Sequence, residues 1–174
     1  ILIAASIMAI AGCGYTTRSL LPTHIKSIYV DNFINRIDIT KEASERRSYQ
    51  SYASGIETEL VKEIKDRFVF DGNLKVTSQE DQADAKLSGE LVDFIKEPLR
   101  YDKAYDIEEY RIKIVANIKV EDLKEKNILW QKDGFVGETT YRTSGAFAKS
   151  EESARKDAMV DLARRVVERT IEEW

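Results

Sequence analysis

Hydrophobic and polar residues alternate along three long stretches of the chain, residues 83–96, 109–123 and 128–141. Alternation of this kind is typical of a β-strand that is buried on one side and open to water on the other. In the second stretch, charged residues such as Arg111 and Lys113 separate the positions of the apolar side: Tyr110, Ile112, Ile114, Ala116, Ile118 and Val120. The three stretches predict a meander of antiparallel strands with one apolar face.

Other strands are less regular. In residues 83–96 the expected apolar side comprises Ala85, Leu87, Gly89, Leu91 and Ile95. In residues 128–141, Gly134 and Gly137 predict a bulge, because glycine inside a strand often marks one. Residues 25–33 also alternate and predict an earlier strand, whereas residues 74–77 predict a short strand or an extended connection.

Two segments carry hydrophobic residues at helical spacing. The first has its apolar stripe at Ile56, Leu60, Val61, Ile64 and Phe68. The second follows Ser150, a good N-cap, with Glu151 and Glu152 at the positive end of the helix dipole, and is expected to run to the end of the chain. The polar residues 35–52 lack an apolar stripe and predict a mobile loop.

This order of strand, helix, meander and helix predicts an α+β fold. Two amphipathic helices need a surface to cover, and the sheet offers one apolar face. We therefore expect both helices on one face of a roughly four-stranded, mostly antiparallel sheet, with the first and last strands as edges. Residues 25–174 are expected to form a single domain.

The chain opens with an apolar run that ends at Cys13. Residues 1–9 are uncharged and too few to span a bilayer, so they predict the apolar part of a secretion signal. The small residues before Cys13 resemble the lipobox of bacterial lipoproteins. The resemblance implies a partial signal peptide over residues 1–12, lipid attachment at Cys13, and a short tether over residues 13–24. A buried N-terminal helix with an incidental cysteine is the alternative.

Composition argues against several classes of function. The net charge is −4 and the pI about 5.3, which gives no electrostatic support for binding nucleic acid. The chain has one histidine and one cysteine, so no second nitrogen or thiolate is available for a metal site with His24. No glycine-rich phosphate loop and no nucleophile elbow are present. We therefore expect that the protein is not an enzyme and that it binds no cofactor or metal. The acidic clusters at residues 106–109 and 151–152 are expected to be solvated.

Aromatic and basic residues coincide at two places. Tyr101 and Tyr105 lie with Arg100 and Lys103 at the predicted tip between the first two long strands. The second group follows the third long strand: Tyr141, Arg142, Phe147 and Lys149. Rings beside cations suit a partner that offers phosphate and a sugar or acyl surface. The alternative is a hairpin tip with ordinary solvated charges.

Several stretches resemble the LptE-like family of outer-membrane lipoproteins that assemble lipopolysaccharide. These are Gly12-Cys13-Gly14-Tyr15, residues 25–30, 56–68 and 109–120, and Ala146-Phe147-Ala148-Lys149. The resemblance implies two helices on one face of a four-stranded sheet, anchored at the periplasmic face of the outer membrane. It also implies a plug inside an LptD-like β-barrel that delivers lipopolysaccharide to the cell surface. Matched residue by residue, it assigns lipopolysaccharide contacts to Arg100 and Lys149.

Two other functions stay open at this point. A periplasmic lipoprotein module could activate a cell-wall synthase, although such proteins usually need a long flexible reach after the lipidated cysteine. Here the first predicted strand begins about a dozen residues after Cys13, which is a short reach. An enzyme that uses surface carboxylates is the third hypothesis.

Overall fold

The computed structural model describes residues 21–37 and 55–172. The predicted signal peptide over residues 1–12, Cys13, the tether as far as residue 20 and most of the predicted polar loop lie outside these residues. The elements within them, apart from a short 3-10 turn, are β1 Ser27–Val30, β2 Ile34–Asn35, α1 Ile56–Asp71, β3 Lys75–Thr77, β4 Ala85–Tyr101, β5 Ile107–Asp122, β6 Asn127–Arg142 and α2 Glu151–Glu172.

The sheet is mixed and has six strands. The predicted α+β class and the pair of helices are confirmed, but the expectation of about four mostly antiparallel strands is not. The strand order is β3-β1-β4-β5-β6, and β2 lies beside β4 further along the same edge as β1. β1 pairs in parallel with β3 and β4, and β2 with β4, whereas β4, β5 and β6 form the predicted antiparallel meander.

Parallel pairing follows from the connection through α1. A helix between two strands returns the chain to the starting end of the sheet, so β3 runs in the direction of β1. β1 therefore lies between two strands, and the expectation that the first strand is an edge is wrong. Among the described strands, the order ends at β3 and, as expected, at β6, and β2, which pairs with β4 alone, is also an edge.

Both helices pack on the apolar face, side by side and in the same direction. The predicted stripe of α1 is buried from Ile56 to Phe68. Near the ends of the two helices, Arg67 Nη2 lies 3.8 Å from Glu168 Oε1. In β5 the predicted alternation is confirmed, with every second residue from Ile112 to Val120 buried. The core is thus a single layer between the helices and the sheet. Within the described residues, no helix has the length and apolar character needed to cross a bilayer.

One bulge changes a predicted face, and another lies where the sequence predicts it. In β4 the register shifts between Leu91 and Asp93, so that Phe94 is buried instead of the expected Ile95. In β6 the bulge includes Gly134, with φ of 63°, as predicted. Gly137 serves a different purpose, because it lies against α2.

The exposed edge of β6 is partly covered by side chains of α2. Arg165 donates a hydrogen bond to the backbone carbonyl of Val136. Asp161 accepts one from the backbone N–H of Glu138 at 3.1 Å. These bonds satisfy edge groups that would otherwise be open to another strand.

Candidate functional site

The two predicted aromatic and basic segments meet at one end of the sheet. We call this the hairpin end, comprising residues 99–109 and 141–149. Arg100 lies opposite Glu109 across β4 and β5, and Glu109 lies opposite Arg142 across β5 and β6. Arg142 in turn bridges to Ala148, and its carbonyl accepts a hydrogen bond from the N–H of Lys149. Residues far apart in sequence thus form one row across the sheet.

Both cations assigned by resemblance lie at the hairpin end and are half-exposed. The Arg100 guanidinium lies 3.4 Å from Glu109 Oε2. The Lys149 ammonium lies 2.8 Å from Asp157 Oδ2. Each of the two cationic side chains is 53% exposed, but their partners differ: Asp157 is 41% exposed, so solvent screens the Lys149 pair, whereas Glu109 is 14% exposed. Because both cations face solvent, an incoming phosphate group can reach either of them.

Two further cations at this end are not engaged in ion pairs with any described residue: Lys103, exposed at the tip, and Arg142, half-buried on β6. The sequence placed both beside aromatic residues, but the resemblance did not assign them a role. The structure brings Arg142 between the strand of Glu109 and the segment of Lys149.

Large apolar side chains at the hairpin end are open to water. Tyr105 is 88% exposed and Phe147 80%, and Leu99 and Tyr101 are exposed as well. A cluster of this kind on one end of a domain marks an interaction surface, because its burial would be favourable. Arg100 and Tyr101 lie in β4 itself, since that strand extends beyond the predicted residue 96.

The tip between β4 and β5 is shaped by one carboxylate. Asp102 Oδ1 accepts hydrogen bonds from the backbone N–H of Ala104 at 2.8 Å and of Asp106 at 2.9 Å. Tyr105 has φ of 66°, in the left-handed region. The short turn that results holds the Tyr105 ring outward.

A polar cluster fastens the start of α2 beneath this surface. Lys96 Nζ lies 2.5 Å from Glu151 Oε2 and 4.4 Å from the centre of the Tyr110 ring. Tyr110 stacks on Tyr141, whose hydroxyl is 3.4 Å from Glu151 Oε2. Glu151, expected to be solvated, is therefore a structural partner.

Burial changes the proton affinities within this cluster. Burial and the nearby Glu151 carboxylate raise the pKa of Tyr141. Burial alone would lower the pKa of Lys96, but the hydrogen bond to Glu151 and the nearby Tyr141 hydroxyl and Glu151 carboxylate together outweigh burial, and the pKa is raised. Lys96 thus stays charged at neutral pH, and its pair with Glu151 joins β4 to the first residue of α2.

His24 lies at the other end of the sheet, which we call the entry end. It comprises residues 21–27, the α1–β3 turn and the β5–β6 turn. His24 Nε2 is 2.5 Å from Asp122 Oδ2. The entry end therefore brings together a different set of polar groups, well away from the cations of the hairpin end.

Comparison with known proteins identifies the family. The model of the LptE family, described as lipopolysaccharide-assembly, matches residues 25–170. Comparison with curated proteins gives no match. The fold is similar to that of protein XCC0632 from Xanthomonas campestris, with a TM-score of 0.57, 14% identity and 83% of each chain covered. It is also similar to that of the hypothetical protein CT253 from Chlamydia trachomatis, with a TM-score of 0.53, 12% identity, and 83% of this chain and 95% of that one covered.

At these identities the two structures show a shared fold only. The family match is broader, since it spans both helices and the whole sheet. The chain therefore belongs to the LptE family of lipopolysaccharide-assembly proteins.

Proposed function

We propose that this chain is a non-catalytic outer-membrane lipoprotein, acylated at Cys13, that binds lipopolysaccharide and plugs the export β-barrel. The barrel partner would be LptD-like, and the chain would help to assemble it. The observation that carries the proposal is the meeting of two basic and aromatic segments at one end of a sheet in a member of this family.

The hairpin end offers the chemistry that lipopolysaccharide requires. Guanidinium groups bind phosphate through paired hydrogen bonds, and ammonium groups add charge. The exposed Tyr105 and Phe147 rings supply apolar area for acyl chains or sugar faces. Arg100 and Lys149 can turn from their carboxylate partners to phosphate, while Arg142 and Lys103 need break no ion pair with a described residue.

The open face of the sheet fits a polar protein surface. Glu97 lies 2.6 Å from the ammonium of Lys113 and 3.7 Å from the guanidinium of Arg111. Further along, Lys119 lies 3.0 Å from Glu121. A face of paired charges suits a wet interface with the polar interior of a barrel rather than contact with acyl chains.

An anchor at Cys13 would lie nearer the entry end than the hairpin end, because Leu21, where the described residues begin, is at the entry end. The chain enters at Leu21, eight residues after Cys13, and eight residues reach at most about 28 Å. β4 runs from the entry end to the hairpin end over 17 residues, or roughly 50 Å. A lipid on Cys13 would hold the entry end at the inner leaflet. Inside a barrel, the hairpin end could then reach past a hydrocarbon core about 30 Å thick.

Charge reversal at the hairpin end tests the binding residues. We expect Arg100→Asp combined with Lys149→Asp to weaken lipopolysaccharide binding by about tenfold or more, because two charge-assisted contacts are lost. Binding is measured with the purified full chain. Association with the barrel, measured by copurification from detergent-solubilised membranes, should not change.

Lys126→Asp with Lys132→Asp is the matched control, since both lysines are exposed and lie outside the hairpin end. It should bind lipopolysaccharide like the unchanged protein. Equal binding by both double variants would show that the residue assignment is wrong. Failure of any β-barrel to copurify would contradict the plug.

A further inference from the structure

One imidazole and two carboxylates come together at the entry end. His24 Nε2 lies 2.5 Å from Asp122 Oδ2, although the two residues are 98 positions apart. One ligand atom from each of His24, Asp122 and Glu125 lies within 4.8 Å of the other two. The fold creates this cluster, which explains why a sequence search for a second nitrogen or a thiolate did not find it.

Asp122 is held in position by the β5–β6 turn. Its side chain is buried, and its Oδ1 accepts hydrogen bonds from the backbone N–H of Lys124 at 2.8 Å and of Glu125 at 3.0 Å. Its other oxygen is therefore directed to His24. Backbone hydrogen bonds of this kind orient carboxylates that bind metal ions and strengthen the binding.

The remaining two groups border solvent. His24 is half-buried and Glu125 is exposed, so an ion can reach the cluster from one side. Asn127 Nδ2 donates a hydrogen bond to Glu125 Oε2 at 3.3 Å, which keeps that carboxylate near the turn.

A neighbouring cation is directed away from the cluster. Lys124 lies between Asp122 and Glu125 in sequence, but its Nζ is 2.5 Å from Asp84 Oδ1. The two carboxylates thus keep a double negative charge available, which matches a divalent cation.

We propose that His24, Asp122 and Glu125 form a divalent-cation site whose ion is Zn²⁺. A set of one imidazole nitrogen and two carboxylate oxygens suits Zn²⁺ better than Mg²⁺ or Ca²⁺, which prefer oxygen ligands alone. Three protein ligands leave a position for water. Zn²⁺ would take the place of the hydrogen between Nε2 and Oδ2, and these atoms would separate by roughly 1 Å to reach normal zinc distances.

The proton balance of this step is simple. In a neutral His24 the Nε2 proton passes to solvent as Zn²⁺ binds there, and Nδ1 takes up one proton from solvent, so no net proton is released. A protonated His24 releases one proton to solvent. The bound ion fastens His24, the last residue of the predicted tether, to the β5–β6 turn. The site stands independently of lipopolysaccharide binding.

The single histidine makes the test direct. The full chain carries Cys13→Ser, which removes the only thiol. Zn²⁺ is titrated by calorimetry, and the ring nitrogens of His24 are followed by ¹⁵N NMR. We expect one ion per chain, a shift of the Nε2 resonance to that of a metal-bound nitrogen, and affinity at least about tenfold weaker in His24→Gln and in Glu125→Gln.

Glu59→Gln is the matched control, because Glu59 is an exposed glutamate on α1. Its affinity should equal that of the parent chain. Circular dichroism melts without zinc confirm that each variant is folded. Absence of binding, unchanged affinity in both ligand variants, or an unshifted Nε2 resonance would show that the cluster is a hydrogen-bonded ion pair only.

Discussion

At the scale of single residues, the contact between β6 and α2 depends on Gly137. A Cβ atom at this position would lie 2.4 Å from Leu162 Cβ and 2.6 Å from the carbonyl oxygen of Ala158. The second of these atoms belongs to the helix backbone and cannot move aside as a flexible side chain could. α2 can lie this close to the sheet only because residue 137 has no side chain.

Gly137→Ala should therefore lower the free energy of unfolding by about 1–3 kcal/mol, the usual cost of overpacking. Urea denaturation measures the change. Thr140→Ala, at an exposed position of the same strand, is the control and should have a small effect. A Gly137→Ala protein as stable as the parent would mean that α2 does not approach β6 this closely.

Asp84 joins the entry segment to the turn that precedes β4. Its Oδ2 accepts hydrogen bonds from the backbone N–H of Lys26 and Ser27 and from the Ser27 hydroxyl, at 2.8 to 3.0 Å. Burial alone would raise the pKa of this carboxyl, but these hydrogen bonds and the one from Lys124 hold it well below its usual value.

A lowered pKa in the folded protein makes stability depend on pH. The contribution of Asp84 is fully present above the pKa of an unfolded aspartate, about 4, and is lost as the pH falls further. Asp84→Asn should therefore reduce the loss of stability between about pH 5 and pH 2. The midpoints of urea denaturation across this pH range measure the loss of stability. If the midpoint fell equally with pH in Asp84→Asn and in the parent protein, Asp84 would not be the cause.

At the scale of elements, the periodicity of hydrophobic residues predicted the amphipathic helices and strands. It did not predict features that depend on neighbouring strands. α1, α2 and β5 each bury one regular stripe, so their positions follow from the sequence. The short strand β3 lies where the sequence predicts a strand or an extended connection, whereas β2 has too few residues for a pattern; both strands form because β1 and β4 offer open edges. A bulge such as that before Phe94 inverts a face without a sequence signal.

The fastening of α2 to β4 depends on Lys96. Lys96→Met gives a side chain of similar length without the charge, and so breaks the ion pair between Lys96 and Glu151. We expect faster amide hydrogen exchange in residues 143–152, because the local opening free energy falls when a half-buried pair is broken. Exchange in α1 should not change. Unaltered exchange at the start of α2 would show that the pair does not hold this segment.

At the scale of the whole molecule, the fold separates an entry end from a hairpin end. The sequence indicated which residues carry aromatic and basic chemistry, and the meander placed Arg100 near the tip. It could not show that Lys149 and Arg142 join the same row, because that depends on the register of β6 and on the return of the chain at Ala148. The ion pairs with Glu109 and Asp157 likewise depend on tertiary packing.

Site-specific photo-crosslinking in cell membranes tests the proposed orientation most directly. A photoreactive phenylalanine analogue is placed at Phe147, at Thr140 on the exposed part of β6, or at Phe70, an exposed residue near the entry end. The account predicts crosslinks to lipopolysaccharide from position 147, to a β-barrel protein from position 140, and none to lipopolysaccharide from position 70. Equal lipopolysaccharide crosslinks from positions 70 and 147, or none from 147, would contradict it.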